Sequence, residues 1–311
     1  MNMFKTTALG SLFILGLSGA AACSGDDDTN GDTSTTTTTT ATGTGGAGGG
    51  ACPAIPTDPA SPSFGYDPAN TMDGPDAWGT IKNGDGEPAY PVCGDVTVQQ
   101  APVAFPSITA PWAVGGLKLD AMTLNWSKAA VVTDVMNKGY TWQASFAASP
   151  ASTVMYKDEA YTLAQFHFHS PSEHTVDGKS YPLEVHFVHV GGKGAFGVAV
   201  GVFFEEAATD NPELAKIWDK FNVCPQETAD ALPAGTTLDI TALFPKDASH
   251  YEYDGGLTAP PCTQTVHFYI MTTPIKASKA QINALVDSLG PTNRPVQDVL
   301  DEKTVTFLDQ K

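Results

Sequence analysis

The stretch QFHFHSPSEHTVDGKSYPLEVHFVH, residues 165–189, contains two runs in which polar and apolar side chains alternate. Alternation with a period of two is typical of β-strands, on which residues two apart share a face. His167 and His169 are therefore expected on one face of the first strand. His186 belongs to the second strand, on the face that also carries Glu184. The pattern predicts that three imidazoles from two strands converge.

Three neutral histidines are the donor set of a catalytic zinc site, in which a fourth position stays open for water. A lone histidine in a strand is more often a hydrogen-bonded structural residue. The hypothesis of a zinc site therefore depends on the spacing of all three histidines. Gln165 precedes His167 by two residues, and Glu184 precedes His186 in the same way. A ligand histidine needs such an acceptor, because it fixes the tautomer of the ring. The sequence thus predicts Zn²⁺ as the cofactor.

This stretch, followed by GGLTAPPC (255–262) and TNRPVQ (292–297), resembles the alpha-class carbonic anhydrases, from about Trp78 to Phe307. The resemblance implies a mainly β fold of the α+β class, with a large, twisted, mostly antiparallel central sheet and short peripheral helices. It also implies reversible hydration of carbon dioxide to bicarbonate and a proton by zinc-bound hydroxide. Spacing alone would equally suit ester hydrolysis, which is expected only as a side activity.

The resemblance also implies roles for individual residues. Thr258 matches the threonine that accepts a hydrogen bond from the hydroxide, and Glu173 matches the glutamate that takes the threonine's proton. His174 matches a buried structural histidine rather than a ligand. The other matched residues are the zinc ligands His167, His169 and His186, their supports Gln165 and Glu184, and the apolar walls of the carbon dioxide pocket, Val188, Leu257 and Val266. Ala199 is expected to replace a larger aliphatic residue of the same pocket.

Several positions depart from the family pattern, among them Tyr140 and Thr80. Fast members carry a proton-shuttle histidine in an N-G-H stretch, whereas the corresponding segment MNKGYTW (136–142) has Tyr140. The reference pKa is about 10 for tyrosine and about 6.5 for histidine, so tyrosine is the poorer shuttle at neutral pH. We expect proton transfer to limit turnover, unless another acid or a water chain substitutes. Thr80 is expected to occupy the position at which the family usually has a tyrosine near the active-site water.

The N-terminus has the pattern of an export signal. The apolar stretch 8–22 is too short to span a bilayer as a mature helix, and residues 1–22 are interpreted as a lipoprotein-type signal peptide. LSGAAAC (17–23) resembles a lipoprotein cleavage box, so Cys23 is the expected lipidation site. Ordinary cleavage near Ala22 without lipid is the alternative. We expect an exported protein, periplasmic or at the cell surface, anchored to a bacterial membrane.

The remaining chain divides into three parts. Residues 23–51 are rich in Asp, Thr and Gly and cannot bury enough apolar surface to offset chain entropy, so they predict a disordered tether. Residues 52–75 are interpreted as a Pro-rich, irregular lead-in, and residues 76–311 as the catalytic domain. Within it, one helix is predicted to start at Asn211-Pro212 and another at Ser278, where Gln281 completes a capping box.

The cysteines indicate disulfides. Four remain after Cys23, and an even number is typical of exported chains. Spacing alone permits three pairings of four cysteines. Exported bacterial members of the family commonly join the cysteine before the Q-x-P stretch to the one after L-T-x-P-P, which implies a bond between Cys93 and Cys262. Cys52 and Cys224 then form the residual pair.

Two other classes of function are disfavoured. The net charge of −18 argues against nucleic-acid binding, which requires a basic surface. A zinc-free binding module would be expected to lack metal ligands, whereas all three histidines are present. Carbon dioxide or bicarbonate is thus the expected small-molecule partner, and the oligomeric state is not predicted.

Overall fold

A computed structural model describes residue 52 and residues 58–107, 123–191, 197–300 and 305–308. The predicted signal peptide, Cys23 and the tether lie outside these residues. The strands are β1 (Ala104–Phe105), β2 (Leu124–Asn125), β3 (Ala130–Asn137), β4 (Trp142–Phe146), β5 (Thr153–Tyr156), β6 (Glu159–His169), β7 (Thr175–Val176), β8 (Leu183–Gly191), β9 (Gly197–Ala207), β10 (Asp230–Ala231), β11 (Thr237–Leu238), β12 (His250–Gly255), β13 (Val266–Met271), β14 (Ile275–Ser278) and β15 (Thr306–Leu308). The helices are α1 (Pro212–Ala215) and α2 (Lys279–Leu289), with 3-10 helices at Pro75–Thr80, Pro91–Gly94, Trp218–Lys220 and Ile240–Leu243.

Thirteen of the fifteen described strands form one sheet, whose main path runs β10-β3-β4-β6-β8-β9-β13-β12-β15, and β1 and β7 form a separate two-stranded sheet. The pairs in the larger sheet are antiparallel except where β9 pairs with β13 and with β14. One apolar cluster lies on the face that carries Phe166 and Phe187, and a second lies on the face that carries Ala199 and Phe268. The central strands are buried runs because both faces are covered. The predicted fold class, a large and mostly antiparallel sheet with short helices, is confirmed.

The register of β6 against β8 decides where the histidines meet. His167 lies opposite His186, and His169 lies opposite Glu184. Residues directly opposite each other in an antiparallel pair share a face, so these four side chains project together. The alternate residues Phe166 and Phe168 are fully buried on the other face. The alternation predicted from the sequence is therefore confirmed.

Both predicted helices begin at their expected caps. The Asn211 side chain accepts two backbone N–H bonds at the start of α1, but α1 ends at Ala215 and a short 3-10 helix follows. Ile217 and Phe221, which follow α1, are buried from outside the α-helix. Ser278 and Gln281 form the capping box of α2. Among the described helices, none has the length and apolar character needed to cross a bilayer.

Two disulfides join distant parts of the described chain. Cys52 pairs with Cys224 across 172 residues, and Cys93 pairs with Cys262 across 169 residues. Cys93 and Cys262 are both buried, in an apolar cluster with Trp78. Because Cys262 follows the segment that contains Thr258, this bond fixes the position of that segment.

A histidine on the sheet face opposite the three candidate ligands lies between two carboxylates. Nδ1 of His267 is 2.7 Å from Oδ1 of Asp254, and Nε2 is 3.4 Å from Oε2 of Glu252. The ring stacks on Tyr156 with centroids 4.0 Å apart. Burial lowers the pKa of His267, but hydrogen bonds and charges from Asp254 and Glu252 outweigh it and raise the pKa above the usual value.

Replacing His267 with glutamine is expected to destabilise the protein in a pH-dependent way. Because the folded-state pKa lies above that of the unfolded chain, the stabilisation is fully present below about pH 6.5 and is lost as the pH rises through the folded-state pKa. We expect the substitution to lower the free energy of unfolding by about 1 kcal/mol near pH 6, and by less near pH 9. Urea unfolding of both proteins across this range measures the difference, and a difference that does not shrink with rising pH would contradict the prediction.

Candidate metal centre

Three histidine side chains of β6 and β8 converge on one point. The ring nitrogens that His167, His169 and His186 can offer to a metal ion all lie within 4.8 Å of one another. His169 and His186 are buried, and His167 is partly buried. Since all three project from paired strands of the central sheet, their backbone positions are fixed by the ladder. The geometry is that of a site able to hold a divalent cation.

Two of these histidines are held by the acceptors that the sequence indicated. Nδ1 of His167 is 2.9 Å from the side-chain oxygen of Gln165, and Nε2 of His186 is 2.8 Å from Oε1 of Glu184. Because both partners are acceptors, the bonded nitrogen of each ring carries the proton. The opposite nitrogen, Nε2 of His167 and Nδ1 of His186, is left with a lone pair for a metal ion.

The third histidine is held by a part of the chain that sequence reasoning did not connect with it. Nδ1 of His169 is 2.7 Å from the backbone oxygen of Thr292. Its Nε2 is buried and has no hydrogen-bond partner among the described residues. A buried, unpaired polar atom costs free energy, so it requires an explanation. Zn²⁺ would bind the lone pair of this nitrogen together with the lone pairs of the other two histidines. The three donors therefore fit this metal.

Burial and mutual repulsion keep two of the imidazoles neutral. Desolvation, with smaller contributions from the neighbouring imidazoles, holds the pKa of His167 well below its usual value and lowers the pKa of His169 to about 3. For His186, burial lowers the pKa, but the adjacent Glu184 carboxylate outweighs this effect and raises it. The neutral imidazole is the form that binds metal ions, so His167 and His169 are in the competent state.

Glu184 supports the site through four hydrogen bonds. Oε2 accepts from the backbone N–H groups of Glu173 and His174 at 2.9 Å each, while Oε1 lies 2.7 Å from Nδ1 of His174 and 2.8 Å from Nε2 of His186. Burial raises the pKa of Glu184, but the two histidines hold it well below its usual value. A Cβ atom at Gly201 would lie 3.1 Å from Oε1, so a glycine leaves room for this carboxylate. His174 thus faces Glu184, as a structural histidine would.

Glu173 and Thr258 meet beside the histidines. Oε1 of Glu173 accepts the backbone N–H of Arg294 at 3.0 Å, and the Thr258 hydroxyl lies close enough to the same carboxylate to lower its pKa. Oε2 lies 3.3 Å from Nε2 of His169, where two acceptors face each other without a hydrogen bond. Burial raises the pKa of Glu173 to about 8, although His186 and these two groups act in the opposite direction.

Tyr140, at the expected shuttle position, is embedded among aromatic rings. Its ring lies 5.0 Å from that of Phe64, and the residue is partly buried. Burial raises the pKa of Tyr140 above the usual value of tyrosine. The hydroxyl is therefore a weaker acid than that of a solvated tyrosine, and it is less suited to transfer protons at neutral pH.

Thr80 is exposed, and its hydroxyl donates to the backbone oxygen of Ala77 at 2.8 Å, so its replacement of an active-site tyrosine stays a prediction. A tyrosine whose pKa responds to the charge of Glu173 is Tyr66. Its ring packs on Trp78 with centroids 5.3 Å apart, and its hydroxyl is buried without a partner among the described residues. Burial, followed by the charge of Glu173, raises its pKa. The sequence could have indicated that Tyr66 packs on Trp78, because aromatic residues are present within the Pro-rich lead-in, residues 52–75.

The predicted pocket walls lie mostly on the face of the histidines. Val188 follows His186 by two residues on β8 and pairs with Ala199. Ala199 and Val266 are buried in the same apolar cluster, and Val188 is partly buried. Leu257, by contrast, is 40% exposed. Three of the four residues therefore line the buried side of the site, and Leu257 is open to solvent.

Comparison with known proteins places these features in a family. The sequence model of the eukaryotic-type carbonic anhydrases matches residues 73–302. A carbonic anhydrase of a Nostoc species is 33% identical over 233 residues, which are 75% of this chain and 82% of that protein. A carbonic anhydrase of Pectobacterium carotovorum is 37% identical over 164 residues, which are 52% of this chain and 64% of that protein. The chain thus spans just under two thirds of the length of this relative.

Solved structures agree with the sequence comparison. The alpha-carbonic anhydrase of Thermovibrio ammonificans, in complex with the inhibitor sulfanilamide, matches with a TM-score of 0.65 and 31% identity, over 79% of this chain and 98% of that chain. The alpha-carbonic anhydrase of Photobacterium profundum matches with a TM-score of 0.65 and 29% identity, over 79% of this chain and 100% of that chain.

Proposed function

Since this chain belongs to the eukaryotic-type, or alpha, carbonic anhydrase family, we propose that it catalyses the reversible hydration of carbon dioxide to bicarbonate and a proton, with Zn²⁺ as its metal. The observation that carries the proposal is the convergence of three ring nitrogens, of which Nε2 of His169 is buried and otherwise unpaired. When bound, the metal lowers the pKa of a water ligand to about 7 and so supplies a nucleophile at neutral pH.

Thr258 and Glu173 orient the attacking water in this proposal. Glu173, whose ionised form a metal cation beside it would favour, would accept a hydrogen bond from the Thr258 hydroxyl, and this would leave the Thr258 oxygen to accept a hydrogen bond from the water. That bond selects which lone pair of the water faces the substrate. Val188, Ala199 and Val266 supply apolar surface for carbon dioxide, which has no net dipole.

Proton release is proposed as the slow step, because Tyr140 is a weak acid. Turnover is expected to rise with the concentration of an imidazole buffer, and Tyr140→His is expected to raise turnover in dilute buffer by about tenfold or more. Stopped-flow hydration against buffer concentration measures both effects, with zinc content determined in parallel. Tyr140→Phe is the matched control, since it keeps the ring packing on Phe64 and should change turnover by less than about twofold. Turnover that is independent of buffer would contradict the prediction.

The same measurement tests the proposed function as a whole. A zinc-loaded protein with no hydration activity would show the proposal to be wrong. A sulfonamide that binds the open metal position is expected to inhibit hydration. Ester hydrolysis is proposed as a side activity of the same site, and its rate on an activated ester is expected to be many orders of magnitude lower than hydration.

We also propose that residues 1–22 direct export and that Cys23 carries a lipid anchor, on the strength of their sequence pattern. The two disulfides of the domain support an oxidising compartment. Cys23→Ala is expected to move the protein expressed in a bacterial host from the membrane fraction to the soluble fraction, because the substitution removes the acyl-accepting thiol. Fractionation and immunoblotting measure the shift. Recovery of both proteins in one fraction would exclude the anchor.

A further inference from the structure

Lys138 lies in the turn between β3 and β4 and faces the metal centre. Met136 lies opposite Gln143, and Gln143 lies opposite His167. Opposite residues share a face of the sheet, as do residues two apart on a strand. Lys138 follows Met136 by two residues and so continues the face that carries His167. In agreement, the charge of Lys138 is among the causes that lower the pKa of His167.

The ammonium group of Lys138 has no anionic partner in the part of the chain that the structure describes. Within the described ranges, no carboxylate lies at ion-pair distance from it, whereas Nζ of Lys216 is 2.6 Å from Oε2 of Glu213. Its backbone N–H donates to the backbone oxygen of Thr141 at 2.9 Å, and its side chain makes no hydrogen bond to any described residue. The residue is partly buried, and this desolvation lowers its pKa. A partly desolvated and unpaired cation is unfavourable, and a bound anion would relieve it.

The turn that carries Lys138 is anchored. The Asn137 side chain donates to the backbone oxygen of Asn222 at 2.9 Å. Two residues further along, Cys224 is joined to Cys52 by a disulfide. The ammonium is therefore presented from a fixed turn, which reduces the entropy lost when an anion binds.

The guanidinium of Arg294, which also lies near the site, is already engaged. Nη1 donates to the side chain of Gln100 at 3.1 Å and to the backbone of Ala101 at 2.7 Å, and Nη2 donates to the backbone of Cys93 at 3.0 Å. Both Nη atoms of Arg294 are thus held by the Gln100–Ala101 and Cys93 segments. Its Nε has no hydrogen-bond partner among the described residues, but it is buried and so is not presented to a ligand. Lys138 differs in that its charge faces the site without such contacts.

We propose that Lys138 binds a small oxyanion of the bicarbonate class at the entrance to the metal centre. The identity of the anion rests on the proposed function, in which bicarbonate is the product of hydration and the substrate of the reverse reaction. With a net charge of −18, the chain as a whole repels anions. A local positive charge beside the histidines counteracts this repulsion where the anion must bind.

The test measures anion binding without turnover. Sodium bicarbonate and, separately, sodium nitrate, another small trigonal oxyanion, are titrated into the zinc-loaded protein, and the rise of Tm with anion concentration gives an apparent Kd. Lys138→Gln is expected to raise both Kd values by about tenfold, and Lys138→Arg, which keeps the charge, by less than about threefold. Lys276→Gln is the matched control, because it removes one exposed lysine from β14, and it should leave both Kd values unchanged.

Two outcomes decide the proposal. A weaker affinity of Lys138→Gln that Lys138→Arg restores supports anion binding by this side chain. Equal Kd values for the parent and Lys138→Gln, or an equal loss in Lys276→Gln, would overturn it. Failure of the proposed function is recognised separately, as absent hydration by the zinc-loaded parent, because Tm reports binding whether or not carbon dioxide is turned over.

Discussion

Replacing His186 with glutamine is expected to remove bound zinc and to lower kcat/KM for carbon dioxide hydration by at least about 1000-fold. The substitution leaves two ring nitrogens where a catalytic zinc site needs three protein ligands. It also removes one of the two hydrogen-bond partners of Oε1 of the buried Glu184. Metal analysis gives zinc per chain, and stopped-flow measurement gives kcat/KM.

His189→Gln is the matched control for this prediction. His189 is buried on the same strand, β8, but it points to the opposite face, where its ring lies 5.4 Å from that of Trp126. The control is expected to lose stability and yet to retain about one zinc per chain. If His186→Gln kept its zinc and activity, or if both variants lost zinc equally, the assignment of the metal centre to these three histidines would be wrong.

Thr258→Ala is expected to lower kcat/KM by about 100-fold while zinc content stays unchanged. The loss follows because the hydrogen bond that orients the attacking water disappears. Glu173→Gln is expected to have a similar effect, since an amide nitrogen turned toward Thr258 would donate to the hydroxyl and reverse its direction. Stopped-flow hydration at saturating zinc measures both variants.

The double variant distinguishes a relay from two independent effects. If Thr258 and Glu173 act as one unit, the double variant should be no slower than the slower single variant. Thr258→Ser retains the hydroxyl and is expected to restore most of the activity. Losses that multiply in the double variant, or a serine variant as slow as the alanine variant, would show that the two residues do not act through each other.

Local sequence determined the strands and the faces of the metal centre. In β6 and β8 the alternation of histidine with phenylalanine or valine leaves one way to bury the apolar set, and this places His167, His169 and His186 together. Gln165 and Glu184, the hydrogen-bond acceptors of His167 and His186, lie two residues before them, so the same period of two places them on the same face. These features were predictable because strand geometry depends only on neighbouring residues.

The tertiary structure decided the contacts that close the site. The backbone oxygen of Thr292 holds His169 from 123 residues away, and the backbone N–H of Arg294 holds Glu173 from 121 residues away. Tyr66 reaches the site from a segment without strands or helices, and Lys138 gains its position from the packing of a turn. No local period encodes such contacts, because which loop packs against a strand depends on how the whole chain buries its apolar surface and satisfies its buried polar groups.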